Sequence, residues 1–209
     1  MKLLKELKYS LYIMIHPFDG FYDLKFEKRG SMKSAGILYL LFVLSVIIKR
    51  QLTGYLFNPN DTEDMNFFLE CSLAILPYVL WCVSNWCITT LMDGEGKFSD
   101  IVKATGFALT PYTIFNIISV IASQFLTLEE SSVYGLITAI AMIWSFGLVF
   151  LGMLTTQQYS LLKGIAAALI TLVGMAIILF LSFLVFYLAQ QLVNFIQELW
   201  SELSFRLNE

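Results

Sequence analysis

Polar and apolar positions divide the chain into five long apolar runs held apart by short polar stretches. The runs cover roughly residues 34–57, 67–92, 104–126, 133–154 and 164–197. A helix rises 1.5 Å per residue, so about 20 apolar residues cross a hydrocarbon core of ~30 Å. Each run therefore predicts a membrane-spanning helix. Ahead of them, residues 3–15 read LLKELKYSLYIMI, with Leu4, Leu7, Leu11 and Ile15 on one helical face. Lys2, Lys5 and Lys8 lie towards the other face, the pattern of an amphipathic helix resting on a membrane surface. Behind them, Ile196, Leu199, Trp200, Leu203 and Leu207 prolong an apolar stripe into an amphipathic tail. The predicted fold is an all-α integral membrane protein: five transmembrane helices with amphipathic helices at both ends. It divides into an interfacial segment (1–33), a five-span domain (34–193) and a tail (194–209).

The polar residues inside and between the runs add detail. His16-Pro17-Phe18-Asp19-Gly20 predicts a turn that ends the first helix, and the lone His16 reads as structural. Asp19, Asp23 and Glu27 stand four apart, and the nearby basic residues predict a solvated, self-paired face. Lys49 and Arg50 fall well along the first span, where charge is costly, so snorkelling to the outer interface is expected. Asn58-Pro59-Asn60-Asp61, with Glu63 and Asp64, predicts a wet acidic turn. Pro77 and Pro111 predict breaks in the second and third spans. Asn85 and Asn116 need partners in hydrocarbon, and interhelical hydrogen bonds are the expected answer. Gly135, Ala139, Ser145, Gly147 and Gly152 in the fourth run would let helices approach closely. The last run would make about 50 Å of helix, so it either tilts and projects or breaks near Gln190-Gln191 or Asn194. Between the second and third runs, Asp93, Gly94, Glu95, Gly96, Lys97, Asp100 and Lys103 form a charged turn. Gly94 and Gly96 are expected to let the backbone reverse there.

Composition narrows the function classes. The chain has 209 residues, 58% of them hydrophobic and 14% charged. Soluble domains run at about 45–50% apolar and about 25% charged. A net charge of −3 with no basic patch among aromatics gives no nucleic-acid signal. Cys71, Cys82 and Cys87 are odd in number and lack a Cys-x-x-Cys pair, which predicts packing cysteines and neither disulfide framework nor metal site. No His-Glu-x-x-His helix, Gly-x-Ser-x-Gly elbow or P-loop occurs, so no catalytic residue or cofactor is expected. With five spans, ten of the 13 Lys and Arg fall on the side of the amino end. The positive-inside rule then puts the amino terminus in the cytoplasm and the carboxyl terminus outside.

A short Gly-containing polar loop, then Asp100-Ile101, an alanine-rich entry and Thr110-Pro111-Tyr112 within the span resembles the Yip family of five-span membrane proteins. The resemblance covers about Ser31 to Val193. Eukaryotic members, first known as partners of small trafficking GTPases, carry a long acidic amino-terminal region and an Asp-Leu-Tyr-Gly-Pro motif. Here about 33 residues precede the first span, and Tyr22-Asp23-Leu24-Lys25 is at best a remnant of that motif, which makes the chain similar to the short bacterial branch. The resemblance implies a bacterial cell-membrane protein, accessory to another integral membrane complex such as the permease of a sugar ABC transporter, with homo-oligomers allowed. Asp93, Gly94, Gly96, Pro111, Tyr112, Asn85, Asn116, Gly135, Ala139, Gly147 and Gly152 are the candidate partner-binding or structural positions. Two other readings stay open: a small transporter or channel using the proline-broken spans, or a membrane-shaping protein driven by the amphipathic amino-terminal helix.

Overall fold

A computed structural model describes residues 2–58 and 66–207. The acidic positions of the expected turn at 59–64 and the side chains of Leu203 and Leu207 lie outside what it describes. The described residues form helices joined by short turns: α1 (Lys2–Ile15), α2 (Pro17–Phe26), α3 (Met32–Leu52), α4 (Phe67–Leu91), α5 (Phe98–Ala108), α6 (Thr110–Ser123), a 3₁₀ turn (Leu128–Glu130), α7 (Ser131–Gln157) and α8 (Leu161–Leu207). Among the described residues, five stretches are long and apolar enough to cross a membrane: α3, α4, the α5–α6 pair, α7 with its 3₁₀ lead-in, and α8 as far as Glu202.

The third span is the hub. Over half of its apolar window is buried, against 6% for the fifth. It is also the span that breaks, at Leu109, where Pro111 opens α6. Pro111 has no N–H to offer the Phe107 carbonyl four residues back. The Thr110 hydroxyl donates to that carbonyl instead, at 2.8 Å. In lipid such a carbonyl must be satisfied within the protein, so threonine before proline makes the break tolerable. Pro77, by contrast, lies inside α4 without ending it, so the second span is not broken as its proline suggested.

The amino-terminal helices are not merely laid on a surface. Pro17 stands at the first turn of α2 and favours helix initiation, so the expected turn shrinks to His16 alone. α1 turns Glu6, Ser10 and Ile13 inward and leaves Leu4, Leu11 and Ile15 exposed. Most of the apolar stripe thus stays free, with Leu7 packed partly against the core, and a second, partly polar face docks. Ile13, Phe21 and Leu24 join Ala35, Leu38, Ala104, Phe107, Ala108 and Leu148 in one core cluster where α1 and α2 meet the bundle. Glu6, 6% exposed, anchors this docking. Its carboxylate accepts from the Ser31 hydroxyl at 2.6 Å and the Ser31 N–H at 3.2 Å. Ser31 is the N-cap of α3, so the carboxylate also meets the positive end of that helix. Tyr9 donates to Asp23 at 3.0 Å, and burial together with that bond holds its phenol well above the ordinary value. Arg29 pairs with Asp23 and Glu27, giving the expected self-paired face.

α8 is one helix of 47 residues, about 70 Å long. It does not break at Gln190, Gln191 or Asn194. Its first turns pack on α4, and from Phe180 to Glu202 every residue is exposed.

Ser31→Ala removes the cap and one bond to Glu6, and is expected to cost about 1–2 kcal/mol. Hydrogen exchange in α1 should rise while exchange in α7 stays unchanged; equal protection in both would contradict the anchoring role of Glu6.

Candidate functional site

The charged turn between α4 and α5 is built as a lock. Asp93, with φ 54°, makes the left-handed step that reverses the chain. Gly94 and Gly96 do not adopt positive φ, so they are not there to free the backbone. They are there for close approach: a Cβ on Gly94 would overlap Gln157 and Tyr159, and one on Gly96 would press on Gln157 and Thr156. Gln157 ends α7 and is 1% exposed. Its Oε1 accepts from the Gly96 N–H at 2.9 Å, and its Nε2 donates to Thr89 Oγ1 at 3.1 Å. Tyr159 Oη reaches the carbonyls of Thr89 and Met92 at 3.1 and 3.2 Å. Burial, then the charge of Asp93, raises its phenol above the ordinary value.

Gln158 closes α7 in the left-handed conformation, φ 56°, which lets Gln157 stay helical and turn inward. Thr155, Thr156 and Gln157, polar residues beyond the end of the fourth apolar run, are thus still helix. From the amino-terminal side, Lys25 on α2 comes within 3.5 Å of Glu95. Asp100 accepts from the Lys97 N–H at 3.3 Å and pairs with Lys103 at 2.8 Å. The turn is thus fixed by α2, α7 and the α7–α8 connection together.

Inside the bundle, the two asparagines bridge helices. Asn85 Nδ2 lies 3.0 Å from Met153 Sδ and 3.4 Å from Thr171 Oγ1, joining α4 to α7 and α8. Ser84, beside it, donates to the Thr171 carbonyl at 2.7 Å. Asn116 on α6 accepts from Lys49 Nζ at 3.3 Å and donates to Ser45 Oγ at 3.4 Å, joining α6 to α3. Lys49 therefore turns inward and does not snorkel. A neutral acceptor on the neighbouring span and the Tyr134 ring, 6.0 Å away, give its ammonium a place there. Arg50 is held by Glu70 of α4 at 3.0 Å. Tyr112 packs its ring on Phe42, with centroids 5.4 Å apart.

The small residues of α7 divide into two groups. Gly152 faces inward, against the Phe21 ring. Gly135 and Gly147 have open space where a Cβ would stand, and with Ala139 they lie on an exposed face of α7. Sequence reasoning missed Glu6, Gln157 and Tyr159. Gln157 sits on the same side as the glycine turn, a signal that could have paired them. Among the described residues, no group of three or more His, Cys, Asp or Glu could hold a metal.

Gln157→Ala leaves the Gly96 N–H unpaired and should cost about 1–3 kcal/mol, read as a lower thermal midpoint in detergent. An unchanged midpoint would remove the lock. Asn116→Leu strands the Lys49 ammonium and should destabilise more than Lys49→Met. The double variant should recover much of the loss; additive effects in that cycle would mean the two side chains do not interact.

No curated protein and no solved structure gives a significant match to the chain. A family model does: the Yip1 domain matches residues 11–192, from within α1 to well along α8. With five spans, a broken third helix and that match over most of its length, the chain belongs to the Yip1-domain family of membrane proteins.

Proposed function

We propose that this protein is a non-enzymatic accessory or scaffolding subunit that binds another integral membrane complex, of the kind a sugar ABC transporter permease represents. One observation carries the reading: a small-residue surface on α7 is unused by the described chain itself. Gly135 and Ala139 form a small-xxx-small pair on α7, and no atom lies within 4 Å of where a Gly135 Cβ would stand. Such pairs let a second helix approach closely and pack well in lipid. The far half of α8 adds an apolar surface that its own bundle leaves uncovered. Asn116, Ser84 and Lys49, meanwhile, are engaged in holding spans together. This protein would sit in a bacterial cell membrane with its amino end in the cytoplasm and its carboxyl end outside. The lysine-rich amino-terminal side supports that orientation.

A transport reading draws on Lys49 and Asn116 alone, because an intramembrane ionisable side chain marks a functional site by default. Purified protein that moves no ion or sugar in liposomes would remove it.

The accessory reading is tested by affinity purification of the tagged protein from its native membrane, with mass spectrometry of what accompanies it. Wild type should bring down a stoichiometric membrane partner. Gly135→Leu with Ala139→Leu should lose it with the protein's own thermal midpoint unchanged, since both side chains project into open space. A wild-type protein recovered alone would sink the proposal.

A further inference from the structure

Between α1, α3 and α6 runs an open groove of about 570 Å³. That is within the about 300–1,000 Å³ of small-molecule sites. Leu7 and Leu11 line one wall, Leu38 and Leu41 the second, and Ile114 the third. The hydroxyls along it are already used: Ser10 donates to the Leu7 carbonyl, Thr110 to Phe107 and Thr113 to Leu109. The groove therefore presents methyl and methylene surface along its length. Only its rim carries charge, from Lys5 and Lys8, three apart on α1. Both are exposed, and neither has an ion-pair partner among the described residues.

Depth fits as well. α3 starts at Met32, beside the Glu6 anchor of α1. Leu38 and Leu41 lie six and nine residues further, about 9–14 Å down the helix. That is the depth of one leaflet of a ~30 Å core. The inner wall exists because the third span breaks: Thr110, Thr113 and Ile114 all belong to the first turns of α6.

We propose that this groove holds one acyl chain of an anionic phospholipid, with Lys5 and Lys8 on its phosphate. The inference is independent of any protein partner. It makes α1 a lipid-reading element whose inward face is bolted to α3 while its basic rim selects the headgroup.

Native mass spectrometry of the purified full chain, titrated with phosphatidylglycerol or phosphatidylcholine of matched chains, tests it. Wild type should retain one phosphatidylglycerol in clear preference to phosphatidylcholine. Lys5→Ala with Lys8→Ala should lower that preference about thirtyfold. Lys33→Ala, outside the groove lining, should leave the preference intact. Thr113→Phe, which fills the groove, should abolish retention of both lipids. Equal retention of the two lipids by wild type, or a preference surviving the double lysine change, would overturn the proposal. Loss on Lys33→Ala equal to that on the rim lysines would also overturn it, showing a general basic belt. Should Thr113→Phe fail to fold, Leu41→Trp at the opposite wall makes the same test, and undiminished lipid retention in either variant counts against the groove.

Discussion

In hydrocarbon a polar group has no water to turn to, and an unmade bond costs several kcal/mol. That constraint fixes several of the helix pairs of this protein. Apolar packing discriminates poorly between partners in a membrane, since lipid tails are as apolar as leucine. The polar pairs discriminate well: Lys49 and Ser45 with Asn116 fix α3 on α6, and Ser84 with Thr171 fixes α4 on α8. At the end of the bundle away from the amino terminus, Ser123 Oγ accepts from the Gly54 N–H at 2.8 Å, and Gln124 donates to the Leu52 carbonyl. Even the break in the third span obeys the rule, through the threonine that answers the carbonyl its proline leaves open.

At the other end, the same logic is carried by buried side chains reaching loops. Glu6 holds the start of α3, and Gln157 holds the turn into α5. Between these two attachments lies the apolar cluster of Ile13, Phe21 and Phe107. α1 and α2 are thereby part of the folded unit, and the family match begins inside α1, at residue 11.

The spans were legible because each is a long apolar run, and length alone separates such a run from a soluble helix. Their ends were less so: the fourth extends to Gln157 because polar Thr155 and Thr156 remain helical, their hydroxyls donating back to Leu151 and Gly152. The glycines of the 93–97 turn were found for the wrong reason. Sequence shows that glycine permits both positive φ and close approach, and only the position of Gln157 shows which one is used here. Lys49 misled because snorkelling depends on what a neighbouring helix offers, and Asn116 lies 67 residues away. The α1 stripe was legible from its spacing, and its Leu4, Leu11 and Ile15 are exposed. The docking face opposite it was hidden because its key residue, Glu6, looks from sequence like a solvated charge.

The length of α8 has a mechanical consequence. After Gly174 it contains neither glycine nor proline, and sharp helix bends almost always need such a residue or a comparable local defect. Its far end stands about 54 Å from the Thr171 junction with α4. A rod of that length is a lever: a 5° rotation at the junction sweeps its tip through about 5 Å. A displacement of the tip is thereby geared to the hydrogen bonds at Ser84 and Asn85, and arrives there as a small twist.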